Sequence, residues 1–339
     1  MHPYLIAAME RHGGVFAAAD ALAVGMDRAS IRRLVASGEW RRIRYGIYTT
    51  AARWLQHGVA GTTHELECAA VVRRLGRPTT ISHTSAARLH GLVVPAEAPT
   101  GVWLTDEEQF RTGTEYRILE APLPAEAVEP HGALTVTSLA RTLADVGRYR
   151  DIADTVVAVD DALADGRVTP AELTAAALAQ THWRGAGRAS TAFGLSAVGA
   201  HSPHETRTRL RVRGSGFPAP MLQVAVLQGN RLVAVLDMFW PEYRVFLNCD
   251  GKIKVTDPWG GRSGAEAVWR EKAQHDELVD LGLRGSHVKP VDLHAGWPLK
   301  VARLERLFTE PVPALVDGVR FEQWQGGLRV PARVLHHAA

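Results

Sequence analysis

Hydrophobic and polar positions change their period several times along this chain, and each change marks an expected element. From Pro3 to His12 the apolar residues Leu5, Ile6 and Met9 recur at helical spacing until Gly13-Gly14 stops them. Phe16 to Val24 repeats the pattern over a shorter helix, with Phe16, Ala19, Leu22 and Ala23 on one side. After the Gly25-Met26 turn, Asp27 is placed to cap a third helix through Ser37, with Ile31, Leu34 and Val35 facing inward. The period then falls to two: Trp40-Arg41-Arg42-Ile43-Arg44, a Tyr45-Gly46 turn and Ile47-Tyr48-Thr49 form an expected hairpin. Three short helices followed by a hairpin describe a winged helix-turn-helix over residues 1–55.

Residues 56–180 carry mostly helical patterns and few strands. Helices are predicted at Thr63 to Leu75, Ile81 to Leu92, Thr137 to Gly147 and Ile152 to Leu163, and Thr169-Pro170 opens another. Val102 to Leu104 and Tyr116 to Leu119 alternate as strands. The Gly-, Ala- and Ser-rich stretch from Trp183 to Gly199 is expected to be a connector. Residues 200–300 then order a helix (Pro203 to Val212), three strands (Gln223 to Leu227, Leu232 to Phe239, Val245 to Cys249), a helix (Gly264 to Leu281) and a strand (Ser286 to Pro290). A mixed sheet flanked by helices follows. Residues 301–339 are left as a C-terminal tail, and the fold class is α+β, multidomain.

With 339 residues, 46% of them hydrophobic, the chain can bury more than one core. It has no apolar run near the roughly 20 residues of a spanning helix and no signal-peptide pattern, so a cytoplasmic protein without a membrane partner is expected. Two distant cysteines, Cys68 and Cys249, give neither a disulfide framework nor a metal finger. The net charge of +3 is small, but its distribution is uneven. Residues 1–55 hold eight arginines against four acids, a net of +4, and the remainder is close to neutral at −1. The third helix would expose Arg28, Ser30, Arg32 and Arg33, and the wing Arg41, Arg42 and Arg44. Double-stranded DNA is therefore the expected partner, with a helix in the major groove and basic residues on phosphates. The competing readings are a small helical domain with solvated arginines and a protein-docking module.

The richest chemistry lies between Asp237 and Lys254. Phosphodiester hydrolysis needs carboxylates that gather hard divalent cations, and a lysine beside them to steady the attacking water. Asp237, Asp250 and Glu205 are the candidate metal ligands, with Lys254 just beyond and Mg²⁺ the implied cofactor if the site cuts. The bland reading makes Asp250-Gly251 a strand-end turn and leaves the other carboxylates solvated. Elsewhere, His83 and His90 could share a helix face but lack partners at ligand spacing. Asp160 and Asp161 would diverge by about 100° on a helix. His201 and His204 could add a metal ligand, and Trp240, Trp259 and Trp269 could stack on bases, although capping and packing explain all five.

Two family resemblances rest on these motifs. The opening helix-turn-helix, GEWRRIRYGIY, SHTSAARLHGL and VTSLARTLADV together resemble the AbiEi-like antitoxin family of actinobacteria over about half the chain. That resemblance implies a DNA-binding autoregulator of a type IV toxin–antitoxin system, whose remainder opposes a nucleotidyltransferase-like toxin. Residues 200–293 resemble the PD-(D/E)XK superfamily, more closely its very-short-patch-repair-like branch. By that resemblance Glu205 matches the helix glutamate, Gln223 the strand glutamine and Asp237 the first metal-binding aspartate. Asp250-Gly251 matches the Asp-Gly pair, Lys254 the lysine, and Glu271, Lys272 and Asp276 the charged helix. Asn248 stands where the resemblance expects glutamate, and an amide neither offsets a cation's charge nor acts as a general base. A regulator with a degenerate nuclease-like domain is the leading expectation. A Mg²⁺-dependent endonuclease targeted by the winged helix is the alternative, and a toxin-neutralising protein that ignores DNA is the third.

Overall fold

The computed structural model describes residues 1–94, 101–250 and 264–324. They cluster into two compact units: residues 1–158 with 167–194, and residues 159–166 with 195 onward.

The first unit opens with α1 (Pro3–Arg11), β1 (Phe16–Ala17), α2 (Ala18–Ala23), α3 (Arg28–Ala36), β2 (Trp40–Arg44) and β3 (Ile47–Thr50). The strands form a three-stranded sheet in the order β1-β3-β2. Phe16 departs from expectation: it pairs with Tyr48 as a strand instead of starting a helix. Burial decides this, because Phe16 is fully enclosed and meets Trp40 edge-on at 4.7 Å between ring centroids. Leu5, Met9, Ala21 and Ile31 complete that small core. Gly14 sits at φ +90°, where a residue with a side chain is strained, and a Cβ there would also lie 2.7 Å from the Leu66 methyl.

The middle of the chain is not the mostly helical region its pattern predicts. It continues with α4 (Ala51–Val59), α5 (Thr63–Leu75), β4 (Thr80–Ile81), α6 (His83–Leu89), β5 (Val102–Asp106), β6 (Arg111–Gly113), β7 (Tyr116–Glu120), β8 (Val128–His131) and β9 (Leu134–Thr137). These strands build a six-stranded sheet in the order β6-β7-β5-β4-β9-β8. Its missed strands are two to four residues long, too short to show a period, and Pro130 interrupts β8. Then follow α7 (Leu139–Tyr149), α8 (Ile152–Ala164), α9 (Pro170–Ala179) and α10 (Ala186–Leu195). Thr169 caps α9 in a capping box with Glu172, as the Thr-Pro signature predicts. The expected connector from Trp183 to Gly199 instead holds α10, whose small residues Ala186, Ala189 and Ala192 are buried. One core joins Val15 and Ile47 to Leu66, Ile81, Leu104, Ile118 and Val136, so packing marks no break at residue 55.

The second unit carries α11 (Pro203–Gly214), β10 (Met221–Gln228), β11 (Arg231–Trp240), β12 (Val245–Cys249), α12 (Gly264–Asp280), β13 (Arg284–Val288), α13 (Trp297–Thr309) and β14 (Val319–Gln323). Its mixed sheet runs β13-β12-β11-β10-β14, with only β12 and β13 parallel. The helix–three strands–helix–strand order is the one the pattern predicts. Alternation sends Val245, Leu247 and Cys249 into one core and Phe246 into the other. Residues 301–324 of the expected tail belong to the fold: α13 buries Leu304, and β14 pairs with β10.

Candidate functional site

Two sets of side chains concentrate the chemistry. The first is the basic face of the winged helix. Asp27 accepts a hydrogen bond from the Ser30 amide at 2.7 Å and so fixes the start of α3. Ile31 is buried while Arg28, Arg32 and Arg33 are exposed, so α3 turns a cationic face to solvent. Arg33 also donates to Ser30 Oγ at 2.9 Å, which orients its guanidinium along that face. On the wing, Arg41 and Arg42 are exposed, and Tyr45 at the tip is 82% exposed. Arg41 lies over the Trp54 ring at 4.1 Å, a stacking that restrains its head without neutralising it. Arg44 corrects the expected interface. It donates to the carbonyls of Thr114 at 2.8 Å and Glu115 at 3.1 Å and lies 3.7 Å from the Glu115 carboxylate. The β2–β3 bulge between Arg42 and Arg44 turns it away from the wing's outer face. Arg44 ties the wing to the β6–β7 hairpin and is not a solvent-facing cation.

The second set lies in the last unit. Ser202 caps α11, and Glu205 in its first turn accepts from the His201 amide at 2.9 Å and from Ser202 Oγ at 2.8 Å. Gln223 on β10 donates from one amide nitrogen to Glu205 at 3.0 Å and to Asp237 on β11 at 3.4 Å. Gln223 is buried and holds φ at +50°, a left-handed strand residue wedged between two carboxylates. Asp237 accepts from the Cys249 amide at 2.6 Å, and its own amide donates to the Asn248 side-chain oxygen at 3.1 Å. The structure thus brings Glu205, Gln223, Asp237 and Asn248 together.

Asp250 makes a different contact. It accepts from His287 on β13 at 2.8 Å, and His287 meets His275 on α12 at 3.2 Å. Burial, then the neighbouring His287, holds the His275 imidazole below its ordinary pKa. Sequence reasoning missed both histidines, because the parallel pairing that sets His287 beside Asn248 joins segments far apart in the chain. Gly251, Lys254 and Trp259 lie outside the described residues, as does the Glu271 side chain. Lys272 and Asp276 sit exposed on α12.

A divalent cation needs converging charged oxygens. Glu205 and Asp237 are joined instead by a neutral amide donor, Asn248 supplies no charge, and Asp250 is engaged with a histidine. Among the described residues no three His, Cys, Asp or Glu side chains gather as a metal-binding group. Among the described residues the donor set is two carboxylates joined by an amide, with no third charged oxygen gathered beside them. The accessory candidates resolve as structural groups: His90 and His204 bond the carbonyls of Thr137 and Val288, each at 2.8 Å, and Trp240 is buried with its nitrogen on Pro218 at 2.8 Å. Trp269 is exposed. Cys68 and Cys249 are buried free thiols. No helix among the described residues is long and apolar enough to cross a membrane.

No curated protein matches the chain. Residues 4–51, which span α1 through the wing, match the family model of the transcriptional regulator AbiEi antitoxin, and that match supports a regulator of antitoxin type.

Proposed function

We propose that this protein is a DNA-binding transcriptional regulator of antitoxin type that contacts double-stranded DNA through α3 and the β2–β3 wing. The observation that carries this reading is the placement of exposed Arg28, Arg32, Arg33, Arg41 and Arg42 on two adjoining elements of the segment that matches the regulator family. A cognate nucleotidyltransferase-like toxin is the partner such a regulator would oppose. The last unit is a nuclease-like scaffold that holds its charged residues but does not cut. Gel shifts with the DNA upstream of the protein's own gene test the regulator. A discrete, competable complex at low salt is expected, and an absence of binding there contradicts the proposal.

The convergence of Glu205 and Asp237 around Gln223 favours one second reading, a Mg²⁺-dependent endonuclease aimed by the winged helix. Supercoiled plasmid incubated with Mg²⁺ or Mn²⁺ separates the two. The expected result is intact plasmid with the wild-type protein and with Asp237→Ala. Nicking by wild type that disappears in Asp237→Ala would establish the endonuclease. Nicking gained in Asn248→Glu alone would identify the missing charge as what silences the scaffold.

A further inference from the structure

The first unit contains a second charged site that neither the winged helix nor the family match uses. A cleft of about 420 Å³ opens beside α7 and is lined by His83, Arg141, Arg148, Tyr149, Trp183 and Arg184. Arg141 and Arg148 project from one side of α7 two turns apart, and both are nearly enclosed, at 7% and 9% exposure. Both rely on one carboxylate: Asp145, fully buried, accepts from Arg141 Nε at 3.1 Å, from Arg148 at 3.5 Å and from Gln180 at 3.1 Å. Their guanidiniums also lie 4.8 and 4.7 Å from the Trp183 ring centre. Arginine keeps its charge in such surroundings, so two cations share one anion.

Three donor atoms in this cluster lack any partner: Arg141 Nη2, Arg148 Nε and His83 Nε2. The imidazole's proton is located by its neighbours. Thr105 Oγ1 donates to Ser82 Oγ at 2.8 Å, so Ser82 passes its own hydrogen to His83 Nδ1 at 2.9 Å. That leaves the proton on Nε2, and burial keeps the ring neutral, so His83 faces its surroundings as a donor. Unmet buried donors and an unbalanced buried cation are each unfavourable until a partner arrives. Exposed Arg184 adds charge at the mouth, and the exposed Glu120 carboxylate removes some. Three arginines against Asp145 and Glu120 leave the cleft cationic.

We propose that this cleft binds the phosphate group of a small molecule. Donors from three separate side chains suit a tetrahedral anion, whose three available oxygens diverge in three directions, whereas the two oxygens of a carboxylate lie in one plane. Tyr149, Trp183 and the exposed Phe110 offer aromatic surface beside it for the remainder of a phosphoester.

Thermal unfolding and calorimetric titration of the full chain at pH 7.5 test the site, with inorganic phosphate, a nucleoside monophosphate, and acetate and chloride at matched ionic strength. Saturable binding and a raised Tm with the phosphates alone are expected, with affinity reduced at least about fivefold in Arg184→Ala, which alters only an exposed residue. Tighter binding of the monophosphate identifies a phosphoester ligand, and equal binding identifies free phosphate. Equal responses to acetate or chloride overturn the proposal, as does an absence of saturable binding. Phosphate affinity unchanged in Arg184→Ala would assign the binding to other arginines, such as those of the wing, and would also overturn it.

Discussion

Arg42 and Arg44 stand two positions apart on one strand and have different tasks. Arg42 points to solvent, so on the proposed reading Arg42→Ala should weaken DNA binding several-fold and lower the salt slope by about one unit. Arg44 is held by the Thr114 and Glu115 carbonyls. Arg44→Ala should therefore leave DNA affinity within about twofold and instead lower stability by about 1 kcal/mol, read by chemical denaturation. Asp20 and His83 both lose stability on acidification, for different reasons. Burial alone would raise the Asp20 carboxyl, but the Ala17 amide at 2.7 Å and Arg73 at 2.9 Å together hold it below the usual carboxylate range. Its stabilisation is present above about pH 4 and disappears as pH falls through the depressed folded value. His83 is pushed down to about 4 by burial. The unfolded chain takes that proton near pH 6.5, so stability is full above that point and falls as pH drops towards 4. Thermal melts across pH should show both losses. His83→Gln should remove the loss that begins near pH 6.5 and Asp20→Asn the loss below about pH 4, and losses unchanged in those variants would refute the assignments.

At the scale of elements, Asp160 of α8 is the pin of the second unit. It accepts from the Ala197 amide, from Thr206 and from Arg209 of α11 at 2.8, 2.8 and 2.7 Å, while 1% exposed. Asp160→Ala leaves Arg209 as a buried uncompensated charge and should destabilise by about 3–5 kcal/mol, seen as a large fall in denaturation midpoint. The elements legible in the sequence are those with enough residues to display a period: α5 spans Thr63–Leu75 and β12 spans Val245–Cys249, both as expected. Of the middle sheet, β5 and β7 show their alternation in the sequence, but β4 and β6 do not, because they are two and three residues long and are held by neighbours remote in sequence. The same limit governs the carboxylate site. Motif order brought Glu205, Asp237 and Asn248 into view, but neither the left-handed Gln223 nor the His287–Asp250 pairing carries a local signature. The arginines of α3 were readable because a cap and one buried face fix which side they occupy, whereas the bulge that diverts Arg44 is a tertiary feature.

Across the whole molecule, charge is divided by role. The net of +4 sits in residues 1–55, where it can neutralise phosphates, while in the last unit Glu205, Asp237 and Asp250 are engaged by an amide, a backbone donor and a histidine. On the proposed reading, the basic first segment meets DNA, and Asn248 and Gln223 leave the nuclease-like scaffold unable to cut. The most direct test is the salt dependence of DNA affinity, measured by fluorescence anisotropy on the upstream duplex for wild type and for an Arg28→Ala, Arg32→Ala, Arg42→Ala triple variant. The wild type should bind with log Kd rising linearly in log salt, and the variant should lose about three units of that slope together with most of its affinity. A salt slope shared by the two proteins, or no wild-type binding at low salt, would contradict the assignment of this face to DNA.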